Sequence, residues 1–284
     1  MPVALVTDTC HYLPRELAER CQLHEVSLYV HSNGGARRES EITDYNAYFD
    51  GLAGASELPT TSQPSIGDFL AVYEPLLLSG HEIVSIHLSG GLSGTVRSAE
   101  QARQQLHHGS ERVRVVDSTT ACGAQGLMLL AAAAAVRAGA DAPAVVEHAL
   151  AARADLEFLF SLDTLDYLRK GGRIGGAQAW LGSALKIKPI LSLESEIGAV
   201  ERVRTSRKAF DRLVALIEQM KADGCDGWVV QHTQLPEQAQ ALVARGREIF
   251  GTDPVFVSEI GPVIGTHIGP GLLGVGGTRR SYLE

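Results

Sequence analysis

Hydroxyls, glycines and one histidine are grouped in this sequence in a way that suits the holding of an anion. An apolar strand end, Glu82-Ile83-Val84-Ser85-Ile86-His87-Leu88, runs into Ser89-Gly90-Gly91-Leu92-Ser93-Gly94-Thr95, and a helical pattern follows through Val96, Ala99 and Ala102. A strand that turns through glycine and serine into a helix sets backbone N–H groups at the positive end of a helix dipole, where phosphate, sulfate or carboxylate binds. Glycine lets the backbone approach such a ligand, and Ser93 and Thr95 add neutral donors. A plain βα turn in which Ser93 caps the helix fits the same residues. A second group of hydroxyls lies in Leu58-Pro59-Thr60-Thr61-Ser62-Gln63-Pro64-Ser65, where the prolines preorganise a polar recognition loop or a simple connection ending in an N-cap at Ser65. His267 stands in a glycine-rich turn, Gly265 to Val275.

These groups need elements to position them. Val3-Ala4-Leu5-Val6 reads as a buried parallel strand ending in Thr7-Asp8-Thr9. Arg15 to Cys21 is expected as a short helix after Pro14, Glu25 to Val30 as a strand, Asn33-Gly34-Gly35 as a turn and Tyr45 to Leu52 as a helix. Ile66 to Ser79 is expected as a helix, Val113 to Ser118 as a strand, and Ala121 to Ala138 as a long helix. The small residues of that helix suit close packing or leave room for a slender apolar ligand. Strand, polar turn and helix alternate, so the first half is expected to be α/β with a parallel sheet. Ligands then sit outside the C-terminal strand ends, where Asp8, Ser93 and Ser118 fall.

After the helix Ala142 to Ala154 the texture changes. Glu157 to Leu162 reads as a strand and Leu165 to Ile174 as a helix stopped by glycine with cations in its last turn. Leu185 to Leu193 with Ala199 to Arg204 reads as a hairpin turning at Gly198. Helix Ser206 to Lys221, strand Trp228 to His232, helix Pro236 to Phe250 and strand Pro254 to Glu259 follow. Two domains are expected, residues 1–155 with a parallel sheet and 156–284 with a mixed sheet.

Composition narrows the function. At 284 residues the chain can bury a full core, and a net charge of −8 argues against a general nucleic-acid or anionic-membrane binder, leaving at most transient contact with a membrane surface. The apolar run Leu127 to Val136 is too short to span a bilayer. The four cysteines are scattered, as free thiols of a reducing cytoplasm would be, and no metal-ligand spacing occurs. Gly269-Pro270-Gly271-Leu272-Leu273-Gly274 matches G-x-G-x-x-G in letters only, because no room remains for the rest of a dinucleotide fold. No Walker lysine follows the Ser89 glycines. Gly91-Leu92-Ser93-Gly94-Thr95 is similar to a nucleophile elbow with Thr95 in place of the second glycine, so an acyl hydrolase using Ser93 and His267 stays open.

Together these segments resemble the DegV family, whose studied members bind fatty acids and some of which are the fatty-acid-carrying subunit of bacterial fatty acid kinase. The resemblance covers nearly the whole chain. It rests on Thr7-Asp8-Thr9, Thr61-Ser62-Gln63-Pro64-Ser65, Leu92-Ser93-Gly94-Thr95, Val116-Asp117-Ser118, Tyr167 to Ile174, Lys186-Ile187-Lys188-Pro189-Ile190, Val203-Arg204-Thr205 and His267-Ile268-Gly269-Pro270-Gly271. Thr9-Cys10 departs from the usual Ser-Thr of the family, and Gly175 stands where a small polar residue is common. The resemblance implies a fatty acid in the cleft between the two domains, with no other cofactor and no metal. Its carboxylate would lie on Thr61 or Ser62, Ser93, the Gly94 backbone, Thr95 and His267, and its tail in the apolar interior of the first domain. Asp8, Ser118 and Arg173 would support the site. The chain would present the carboxylate to a partner kinase for acyl-phosphate formation without being an enzyme itself, and Arg173, Arg202 and Arg204 would steer the anion or dock that kinase. A lipid carrier or sensor without a kinase is the open alternative.

Overall fold

The computed structural model describes residues 1–32 and 34–284, the side chains of residues 181–186 excepted. Asn33 of the expected turn, and the side chains of Leu185 and Lys186 in the expected hairpin and lysine motif, lie outside the described residues. In chain order the elements are β1 (Val3–Asp8), α1 (Arg15–Arg20), β2 (His24–Val26), β3 (Tyr29–Ser32), β4 (Gly35–Arg38), α2 (Tyr45–Ala53), β5 (Thr60–Ser62), α3 (Ile66–Leu78), β6 (Glu82–His87), α4 (Thr95–Gln105) and β7 (Val113–Asp117). There follow α5 (Cys122–Arg137), α6 (Ala142–Ala154), β8 (Glu157–Ser161), α7 (Asp166–Lys170), β9 (Lys188–Glu194), β10 (Glu196–Val203) and α8 (Ser206–Ala222). The chain ends with β11 (Gly227–His232), α9 (Pro236–Phe250), β12 (Phe256–Glu259), α10 (Pro262–Ile268) and β13 (Leu273–Thr278).

The fold is α/β, with a parallel sheet in the first part and a mixed sheet in the second. The first sheet has the order β2-β1-β6-β7, all parallel. Its central strands β1 and β6 are buried on both faces, as a parallel sheet covered on both sides requires. Val6 and Ile83 pack with Phe69 and Tyr73 of α3 and Ala99 of α4, whereas Leu5 and Val84 pack with Leu127 of α5 and Val145 of α6. The second sheet has the order β10-β9-β8-β13-β11-β12, antiparallel except for the β11–β12 pair. Leu213 and Leu216 of α8 and Leu242 of α9 cover one of its faces through Trp228, Val230 and Val275. Helix α5 lies between the two sheets and is buried on every side from Gly123 to Ala135. That explains a helix without an apolar stripe, since a helix buried all round has no polar face to show.

The small residues of α5 serve close packing. A Cβ on Gly123 would lie 2.8 Å from Gln231 Oε1, and one on Gly126 would lie 3.0 Å from Leu13 and 3.2 Å from Phe256. No slender ligand is left room along that face.

Three expectations change. The strand foreseen over Glu25 to Val30 is broken. β2 pairs with β1 in the parallel sheet, and β3 joins β4 and β5 in a small antiparallel sheet. Val26, Leu28 and Val30 are all buried, so the alternation continues across the break and hides it. The hairpin β9–β10 turns at Ser195, which takes a left-handed φ of 68°, and Gly198 is paired with Ser192 inside the ladder. The glycine-rich tail, expected as a turn, contains α10 and the central strand β13. Glycine is disfavoured in strands, but a Cβ on Gly276 would overlap the Phe158 ring of β8, and one on Gly274 would lie 3.1 Å from both Phe158 and Phe160.

Candidate functional site

A cavity open at one mouth lies between the two sheets. Its wall is shared. Leu28, Leu88, Leu92 and Ala121 come from the first half, and Phe158, Phe160, Leu193, Ile197, Ile260 and Leu272 from the second. The tail was expected inside the first half; there α5 fills the interior, and the cavity lies between the halves.

The polar part of the wall is supplied by three elements. Strand β5 carries Thr61 and Ser62; this stretch was expected as a loop, but its pairing with β3 (Val30↔Thr61) fixes both hydroxyls in a ladder. Ser62 Oγ lies 2.8 Å from His31 Nε2. The turn after β6 carries Ser93, whose Oγ accepts from Thr95 N–H at 3.3 Å and lies 2.8 Å from Thr95 Oγ1. Thr95 is fully buried and Gly94 packs against Gln63, so both stand behind Ser93 and neither lines the cavity. Helix α10 carries His267, whose Nε2 is 2.7 Å from Thr61 Oγ1.

The turn is less open to an anion than its letters imply. Gly90 N–H donates to Asp117, Gly91 N–H to Ser89 Oγ, and Leu92 and Ser93 N–H to Ser89 O. Among the described residues, the Ser93 hydroxyl and the Gly94 amide are the donors the turn leaves for an anion.

Arg173 brings the charge. Its Nη1 donates to Gly171 O at 2.7 Å and its Nε to Leu92 O at 3.3 Å, which holds the exposed guanidinium across the cavity mouth beside His267. Burial, and after it the Arg173 charge, push His267 down to about 4. The ring is therefore neutral at neutral pH and offers a hydrogen bond, not a positive charge. Its Nδ1 is buried without a partner among the described residues, against Gly171, where any side chain would overlap it.

Two expected supporting residues lie elsewhere. Asp8 is fully buried and accepts from Leu88 N–H (2.9 Å), Cys10 N–H (3.0 Å) and His87 Nδ1 (3.0 Å). Burial alone would raise its carboxyl, but these bonds outweigh burial and hold it below the usual range. Ser118 is buried too, and its Oγ accepts from Thr120 N–H. Asp8 and Ser118 shape the strand ends that present Leu88 and Thr120 to the cavity; they do not touch it. The Ser93 and His267 pairing of a hydrolase is not formed either, since Ser93 bonds Thr95, His267 bonds Thr61, and no carboxylate among the described residues accepts from Nδ1. Arg202 is exposed and stacks over Trp180 with 5.5 Å to the ring centroid, and Arg204 is exposed.

Cavity residues that the sequence did not signal are Cys122, Phe158, Leu193, Ile197 and Gln231. The apolar ones looked like ordinary core positions, and only the placement of β8, β9 and β10 across from β5 and β6 sets them around one space.

An α/β protein whose two sheets enclose a mostly apolar cavity with a small polar cluster is what the fold and the site define. Comparison with known proteins gives its family. The model of the DegV family, described as an uncharacterised protein family, matches residues 2–279. A DegV domain-containing protein of Streptomyces coelicolor is 41% identical over 280 residues, covering 96% of this chain and 97% of its own. Two solved structures are similar with a TM-score of 0.88, each covering 98% of this chain and 100% of its own. One is a DegV family protein from Thermus thermophilus, 35% identical and described by its fatty acid binding; the other is DegV of Bacillus subtilis, 33% identical and described as a fatty acid binding protein. The chain belongs to the DegV family. Among the described residues, no helix is long and apolar enough to cross a membrane.

Proposed function

We propose that this protein holds a long-chain fatty acid non-covalently in the cavity between its two halves, residues 1–155 and 156–284. The observation that carries the reading is one cavity whose wall is aliphatic and aromatic over most of its extent and carries Thr61, Ser62, Ser93, His267 and Arg173. The carboxylate accepts from Thr61 or Ser62, from Ser93 and the Gly94 amide, and from His267, with Thr95 orienting Ser93. A desolvated carboxylate needs such partners, and Arg173 at the mouth offsets its charge. Each buried methylene contributes about 0.8 kcal/mol, so the tail supplies most of the affinity. The fatty acid binding ascribed to the Thermus and Bacillus relatives supports the same ligand class.

The chain then presents the carboxylate to a partner kinase, which transfers phosphate from ATP and leaves an acyl-phosphate in the same cluster. Support for this step comes from the resemblance and from the exposed Arg173, Arg202 and Arg204, which are placed to meet an acidic partner or the added phosphate charge. Such a protein works in the cytoplasm.

Purification without added lipid, followed by denaturation, extraction and mass spectrometry, tests the ligand. A fatty acid near one per chain is the expected result, and an empty extract from folded protein would overturn the reading. The kinase step fails if the loaded protein yields no acyl-phosphate with any kinase of its own host.

A further inference from the structure

Glu39 follows Arg38 at the end of β4, and it is 3% exposed with no cation among the described residues bonded to it. Its Oε1 accepts from Tyr12 O–H and from Val263 N–H, both at 2.8 Å, and its Oε2 lies 2.5 Å from Thr9 Oγ1. The Tyr12 oxygen accepts in turn from Ile264 N–H at 3.2 Å. Val263 and Ile264 open α10, whose own N-cap is Gly261, a residue without a side chain to cap with. The free N–H groups that begin every helix must find acceptors, and here they find them far away in sequence, on Glu39 and Tyr12.

The same helix is bare on the face that meets its neighbours. A Cβ on Gly261 would lie 2.7 Å from both Tyr12 and Tyr45, and Cβ atoms on Gly265 and Gly269 would overlap Phe49 and Tyr167. At the far end of α10, His267 meets Thr61. The helix is therefore held to the first half at both ends, with Glu39 and Tyr12 at one and the head-group contact at the other.

We propose that Glu39 is a positioning residue of the head-group site, which with Tyr12 caps α10 and whose protonation sets how firmly that helix holds His267 against Thr61. The proposal rests on the fatty-acid reading of the cavity. Glu39 does not line that cavity; it lines a second, open one with Thr9, His11 and Glu25, through which a proton reaches it from solvent. The groups facing it are Asp8 from β1, Cys10 and Tyr12 from the adjoining turn, Tyr45 and Tyr48 from α2, and Cys122 from α5. His11 is paired with Glu25, and Arg15 with Glu19, so neither is bonded to Glu39.

Burial raises the Glu39 carboxyl to about 7 against the hydrogen bonds of Thr9, Val263 and Tyr12. A released α10 returns the group toward its ordinary value of 4.5. The docked helix thus retains a proton that the released helix gives up, and docking weakens as pH rises through the raised value. Linkage between those two values gives a loss of about tenfold in the docking equilibrium from about pH 6 to about pH 8. His267, held near 4, stays neutral throughout this range and adds nothing to it.

The test loads wild type, Glu39→Gln and Tyr12→Phe with oleate and follows its transfer to dioleoylphosphatidylcholine vesicles between about pH 6 and about pH 8. Amide exchange of residues 262–268 in ligand-free protein is compared between wild type and Glu39→Gln at each pH. Gln keeps the acceptor for Val263 and Tyr12 and donates to Thr9, so it imitates the protonated acid and preserves the fold. Transfer from wild type should quicken up to about tenfold over the range, Glu39→Gln should be flat, and Tyr12→Phe should release faster at every pH. An identical pH profile in Glu39→Gln, or unaltered release by Tyr12→Phe, overturns the proposal. A wild type that takes up no oleate sinks the fatty-acid reading instead. The exchange ratio then still decides the role of Glu39: a ratio that rises with pH supports it, and a constant ratio overturns it.

Discussion

Thr61 Oγ1 and His267 Nε2 lie 2.7 Å apart although 206 positions separate them in the chain. This contact joins the small antiparallel sheet of the first half to the helix α10 of the second, and it does so on the wall of the cavity. It makes the polar cluster of the cavity wall a property of the closed molecule. Neither half contains it alone.

Replacing Thr61 with Val keeps the shape of the side chain and removes its hydroxyl, leaving His267 Nε2 without this partner. A hydrogen bond to a charged group is worth about 1.5–3 kcal/mol. Retention of a radiolabelled fatty acid should therefore fall by about tenfold to a hundredfold. Unchanged retention by a folded Thr61→Val protein would remove Thr61 from the site.

Ser93 and Thr95 act as a pair. Ser93 Oγ lies 2.8 Å from the buried Thr95 Oγ1, which has no access to the cavity. Ser93→Ala should weaken retention, and Thr95→Val should weaken it less. In the Ser93→Ala background, Thr95→Val should add nothing to the loss of binding, because the hydroxyl it orients is gone. Additive losses in that double-mutant cycle would show that Thr95 reaches the ligand by another route.

Most of the architecture was legible because apolar periodicity and caps are local signals. Val3 to Val6, the Ser65 cap and the helices Ala142 to Ala154 and Pro236 to Phe250 stand where the sequence puts them. Thr61, Ser62, Ser93 and His267 were readable as hydroxyls and a histidine among glycines and prolines, and all four line the cavity. What escaped depends on contacts made across the fold. Strand β13 is rich in glycine because aromatic rings crowd it, not because the chain turns there. Asp8 and Ser118 carry polar chemistry at strand ends, yet that chemistry is spent on the backbone of Leu88, Cys10 and Thr120. Glu39, one acid in a charged segment, gave no sign that it caps a helix more than two hundred residues away.

The depressed value of His267 gives a signed expectation with pH. Its folded-state value, about 4, lies below the ordinary 6.5, so between the two the unfolded chain binds the proton first. The stability it contributes is complete above the ordinary value and is lost as pH falls toward 4. Glu39 acts in the opposite sense over part of this range, so the test compares wild type with His267→Gln by urea unfolding at each pH. The variant should lose less stability on acidification. Arg173→Gln removes the second cause of the depression, and the His267 ring resonance followed by NMR should titrate at a higher pH in that variant. An unmoved titration would detach Arg173 from the site.

The hairpin tip and the turn after β6 make the other closure of the cavity. Ser195 N–H donates to Thr119 O at 2.7 Å, and Ser89 Oγ donates to Ser195 O at 2.6 Å. Gly91 lies so close beneath Ser195 that a Cβ would overlap its backbone oxygen, and backbone cannot step aside as a flexible side chain does. Gly91→Ala should therefore lift the tip, which carries Leu193 and Ile197 of the cavity wall on its two strands. Overpacking of this kind costs about 1–3 kcal/mol, and a cavity opened at the tip should also release its fatty acid faster. Gly51 is the matched control. It sits inside α2 with nothing within 4 Å of an added Cβ, so Gly51→Ala should stabilise by about 0.5–1 kcal/mol and leave release unaltered. If Gly91→Ala unfolds at the same urea concentration as wild type and releases at the same rate, the tip does not close the cavity.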